Sequence, residues 1–147
     1  MYGDSGVMRR RATQIREQAG DIRALADHLV AQTEGVSWSG RAADAMRERV
    51  RDRAAHLREA AAAHDTAADS LERHVTEVDV FKEQISTSER KAEKLVADAR
   101  ARVAQIDDAD DPAGVDRTPD PEDIALTGFT PPPSGHKDWL TVNLPGL

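Results

Sequence analysis

The chain contains no cysteine, which excludes a disulfide framework and any thiolate-bound metal and leaves the redox compartment open. Aromatic residues make up only 3% of it: Tyr2, Trp38, Phe81, Phe129 and Trp139. A large globular core is therefore not expected. No stretch approaches the roughly 18 apolar residues of a membrane-spanning helix, and no apolar run of signal-peptide type follows a basic start. No proline occurs before residue 112, and residues 41–111 also lack glycine. Ala, Arg, Glu and Asp dominate the first two-thirds, the composition of long helices and coiled coils.

The net charge of −7 is unevenly placed. Residues 1–106 carry 18 acids and 18 bases, whereas residues 107–147 carry nine acids and two bases, so the tail accounts for the whole excess. A neutral body with an acidic tail lacks the basic face that nucleic acid requires, and no nucleic-acid partner is expected. All seven prolines lie between Pro112 and Pro145. The run Asp107-Asp108-Ala109-Asp110-Asp111-Pro112 cannot bury enough apolar surface to offset its ordering entropy. Residues 107–147 accordingly read as an acidic, Pro-rich, disordered tail. Within it stand two apolar islands, Ile124 to Phe129 and Trp139 to Leu147. Phe129, Trp139 and Leu140 are candidate contacts for a tail-binding protein, or else dock back on the body.

Apolar or small residues recur at Met8, Ala12, Ile15, Ala19, Ile22, Ala26, Leu29, Thr33 and Val36. The alternating spacing of four and three is a heptad seam. A second seam runs through Ala43, Met46, Val50, Arg53, Leu57, Ala60, His64, Ala67, Leu71, His74, Val78, Phe81 and Ile85, widened by Ala54, Ala61, Ala68 and Val75. Ser37 or Ser39 is the expected N-cap of this second helix. Ser86-Thr87-Ser88-Glu89 reads as a capping box, so residues 86–106 either continue the second helix or begin a third. The first helix spans roughly 45 Å and the second, to Ile85, roughly 65 Å at 1.5 Å per residue. Folded back at residue 38, the first covers the second only to about residue 72, which leaves Val75, Val78, Phe81 and Ile85 to be covered by a partner or by a returning segment.

Between the seams lies Trp38-Ser39-Gly40, followed by Arg41-Ala42-Ala43-Asp44-Ala45-Met46. A Trp is costly to expose and a Gly is costly inside a helix, so the pair reads as the tip of a helical hairpin with Trp38 buried as its anchor. This tripeptide, its placement near residue 40 and the small residues after it resemble the WXG family exported by type VII (ESX-type) secretion systems. The resemblance covers roughly residues 1–85. It implies an all-α fold in which an antiparallel hairpin dimerises, with itself or with another WXG-like protein, into a four-helix bundle. It also implies a chain that is cytoplasmic before export, is handled by the type VII machinery rather than the general secretory route, and ends up secreted or at the cell envelope. The family's export signal is a Tyr followed four residues later by an acid. Gly6 follows Tyr2 at that spacing, Ile85 follows Phe81, and Asn143 follows Trp139. Export with a signal-bearing partner is therefore expected.

The interface expected for such pairing comprises Ile15, Ile22, Leu29, Met46, Val50, Leu57, Leu71, Val78, Phe81 and Ile85. The domain plan is a hairpin over 1–85, a helical extension or third helix over 86–106, and the tail. None of His28, His56, His64, His74 and His136 pairs at i, i+4, so no metal and no cofactor are expected. His64 and His74 read as polar register-setters on the seam, and Asp69–Arg73 as an i, i+4 ion pair. No P-loop, G-x-S-x-G or H-E-x-x-H is present, and a non-enzyme is expected. The competing reading is a cytoplasmic coiled-coil adaptor or chaperone for a larger effector.

Overall fold

The computed structural model describes residues 4–107 and 118–147. They form helix α1 (Ser5–Glu34), helix α2 (Arg41–Asp107), the short helix α3 (Pro121–Thr127) and a 3-10 turn at Lys137–Leu140. There is no strand among the described residues. The chain divides into two compact units, one reaching to Val78 and the other beginning at Asp79.

In the first unit, α1 and the N-terminal half of α2 pack together. Asp4 opens α1, its carboxylate accepting from the N–H groups of Gly6 (2.8 Å) and Val7 (3.3 Å), donors a helix start leaves unsatisfied. Ala12, Ala19 and Ala26 on α1 are fully buried, as are Ala43, Ala54, Ala61 and Ala68 on α2, with Val75 almost so. Apart from Ala43, they recur every seventh residue on each helix. Small side chains at this spacing let two helices approach closely along their whole contact. Ion pairs joining Arg16 to Glu72, Arg23 to Asp65, Asp27 to Arg58 and Glu34 to Arg51 fix the direction. As the number rises on α1 it falls on α2, so the pair is an antiparallel hairpin.

The tip differs from the expectation in two ways. Neither Ser37 nor Ser39 caps α2; Gly40 precedes it at φ 105° and accepts the first helical bond from the Asp44 N–H at 3.1 Å. Trp38 is not buried but 50% exposed. The turn is tied instead by Arg47, whose Nη2 donates to the carbonyls of Val36 and Trp38.

The second unit contains the rest of α2 and residues 118–147. Ser86-Thr87-Ser88 does not open a third helix: α2 runs through it without a break to Asp107. With no Gly or Pro in that stretch, the helical ladder outweighs the local capping signal. The tail reading fails over residues 118–147, while 108–117 lie outside the described residues. Asp120 caps α3 by accepting from the Glu122 N–H at 2.8 Å, Pro121 fills its first turn, and Gly128 closes it. Trp139 is 3% exposed and joins Ile85 and Ala92 of α2 in a small core, against which Phe129, Val142, Leu144 and Leu147 pack. The apolar islands thus dock on α2, and Ile85 is covered within the chain.

Candidate interaction surfaces

The line of buried alanines divides the hairpin into two edges of unlike chemistry. On each helix, residues one or four places after a buried alanine project to one side, and residues one place before it project to the other. Arg16, Arg23, Asp27 and Glu34 on α1 all follow a buried or seam position in this way, as do Arg51, Arg58, Asp65, Asp69 and Glu72 on α2. They are the residues that form the cross-helix ion pairs. The Arg16 guanidinium lies between Glu72 and Asp69, which hold it more firmly protonated than usual, Glu72 contributing most. Asp69 therefore faces α1 rather than Arg73, which instead donates to the Ser70 hydroxyl at 3.3 Å.

The opposite edge carries Gln18, Leu25 and Gln32 on α1 and Ala60, Ala67 and His74 on α2. All six are exposed, and none is an acid, a lysine or an arginine. Arg11 and Arg53 occupy the same heptad position at its two ends. Inside this edge run Ile15, Ile22 and Leu29 of α1 and Val50, Leu57, His64, Leu71 and Val78 of α2, all half-buried. Alanine pairing brings the backbones together but leaves these longer side chains only partly covered.

The expected interface residues are thus split. Ile15, Ile22, Leu29, Val50, Leu57, Leu71 and Val78 share the half-covered stripe. Met46 is exposed near the tip, Phe81 is 48% exposed on the second unit's part of α2, and Ile85 is buried. Arg53, Ala60, Ala67 and His74, read as seam, stand one residue outside it. His56 stands beside Asp52 alone, at 3.7 Å, and among the described residues no cluster of His, Asp and Glu could hold a metal. The charged edge was missed by sequence reasoning, although its signal was present: acids and bases recur one and four places after the small residues on both helices.

In the second unit, Trp139 and Leu140 part company: the indole is buried and Leu140 is 41% exposed. The indole N–H donates to the Pro133 carbonyl at 3.1 Å, and the ring meets Phe129 edge-on at 6.2 Å. Arg102 grips the nearly buried carboxylate of Asp123 through Nε at 3.0 and 3.1 Å and through Nη2. That guanidinium holds the Asp123 carboxyl below its ordinary range. A depressed folded-state value stabilises the unit fully above the unfolded value, about 3.9. The contribution is lost as pH falls from there through the folded value. The unit is expected to melt earlier below about pH 4. Asp123→Asn should be less stable at neutral pH and should lack this component of the acid response. Trp139 emission, followed in a Trp38→Phe background, reads both.

No helix among the described residues is long and apolar enough to cross a membrane. No curated protein and no solved structure matches the chain. Residues 1–128 match the family model described as "Putative T7SS secretion signal domain". That match takes in the hairpin, the whole of α2 and α3, so the chain belongs to this type VII secretion-signal family.

Proposed function

We propose that this protein is a non-enzymatic, WXG-like type VII secretion substrate or co-secreted partner, and that it works by packing its hairpin on a second helical hairpin. The observation that carries the reading is the edge free of acids and lysines, with arginine only at its two ends, within a chain whose family match covers 128 residues. Between Arg11 and Arg53, an edge holding half-buried Ile and Leu and no acid, lysine or arginine is cheap to desolvate, whereas the ion-paired edge is not. A surface of this kind suits a like surface, from a second copy or a homologue. The exposed Trp38 at the tip suits recognition better than anchoring. Without an aromatic-then-acid signal at the family's spacing, the chain leaves the cell only beside a partner that carries one.

Two measurements test this. Detection in culture supernatant should require both the secretion ATPase and a signal-bearing partner; export of the lone chain from a strain stripped of WXG homologues contradicts co-secretion. Leu25→Glu and Ala67→Glu, both at exposed positions, should leave the melting curve of the chain intact. Each should weaken pairing about tenfold or more, ~1.4 kcal/mol, in analytical ultracentrifugation with the partner. Unchanged pairing in both variants removes this edge from the interface.

A further inference from the structure

We propose that a cleft beside Trp139 is a docking site for an extended peptide segment of a partner, carrying one large apolar side chain between an acidic and a basic residue. The cleft holds about 210 Å³ and is walled by Ala92, Val96 and Ala97 of α2 and by Phe129, Pro131 and Trp139. That is below the ~300 Å³ at which small-molecule sites begin and suits a single side chain. Its interior is apolar. The indole N–H is already committed to the Pro133 carbonyl, so the ring offers the cleft only carbon. Phe129 and Trp139 brace each other edge to face, which holds the aromatic wall in place before anything binds.

The rim supplies charge. Glu93 and Arg100 also line the opening. Neither side chain makes a hydrogen bond or ion pair among the described residues. They carry opposite charges and stand two turns apart, roughly 10 Å along α2. In an extended segment the side chains at i−2 and i+2 share the face of residue i and are roughly 13 Å apart. Five residues therefore place an apolar side chain in the cleft, an acid over Arg100 and a base over Glu93. The charges require one acid and one base flanking the apolar residue, and the cleft requires that residue at the centre.

The probes are three acetylated, amidated pentapeptides, Glu-Ser-Leu-Ser-Lys, Glu-Ser-Leu-Ser-Glu and Lys-Ser-Leu-Ser-Lys, titrated into the full chain in a Trp38→Phe background. Trp139 emission is expected to shift saturably with the first and at least tenfold more weakly with the other two, each of which sets one charge against a like charge on the rim. Replacing the central Leu by Ser should abolish the shift. Ala97→Phe, at an exposed helical position, should fill the opening and abolish binding while the far-UV melting curve is retained. In the Glu93→Arg chain the di-acidic peptide should become the tightest, and in the Arg100→Glu chain the di-basic one. No saturable shift with the first peptide, binding that survives Ala97→Phe, or an order of affinity that does not follow the rim charges would each overturn the assignment. None of these outcomes bears on export, so the site and the secretion reading stand or fall separately.

Discussion

Trp139→Ala is expected to release residues 118–147 from α2. The indole is 3% exposed, is held by the Pro133 carbonyl and Phe129, and is the largest member of the second unit's core. Removing a buried aromatic costs about 3–5 kcal/mol through lost transfer energy and the cavity left behind. Here the other buried core members, Ile85 and Ala92, both sit on α2, and the tail side offers only the partly buried Phe129, Val142, Leu144 and Leu147 to close the gap. Hydrogen exchange should show Gly128, Trp139 and Thr141, whose amides donate to Ile124, His136 and Asp138, losing protection while the α1 amides keep theirs. Protease should cut between residues 118 and 147. If protection at those amides is unchanged, the aliphatic residues at the chain's end, not the indole, hold the unit.

The second large effect concerns size rather than loss. Ala19→Leu or Ala61→Leu inserts three carbons at a position with no exposure, between helices held close by alanine. Overpacking of this kind costs about 1–3 kcal/mol. Each variant should melt earlier, and the double variant earlier still. Ala60→Leu and Ala67→Leu are the controls. They lie on the same helix, one residue away from the buried line and exposed, and should stay within about 0.5 kcal/mol of the parent. Thermal unfolding followed at 222 nm separates the two pairs. Equal losses in both would mean that the buried line has been placed on the wrong face.

This contrast also marks how far the residues could be read in advance. The hairpin, its tip near residue 38 and the seam of α1 were legible, because Ile and Leu alternate there with alanine at an unbroken four-three spacing. On α2 the seam was set one stripe away. Met46, Val50 and Leu57 drew the line toward the large residues, and Ala54, Ala61 and Ala68 were taken as its margin. Hydrophobic pattern weighs side chains by size, but two helices in close contact select the smallest at the centre. Trp38 misled for a related reason: bulk suggested burial, while Arg47 supplies the ties that close the turn. In the tail, acidic and proline content argued for disorder, yet the two apolar islands, whose docking on the body was one of two readings, find cover on α2. Composition averages over a segment, whereas burial depends on what lies opposite each residue.

Gly40 carries a consequence beyond the turn. Its φ is 105°, yet no heavy atom lies within 4 Å of where a Cβ would project. What the tip asks of residue 40 is therefore handedness, not room. An L side chain meets resistance from its own backbone, however small it is and however open its surroundings. A residue of mirror-image chirality would be at ease at that φ, and would give up less chain freedom on folding than glycine does. The glycine of the tripeptide stands in for an amino acid that ribosomal synthesis does not supply.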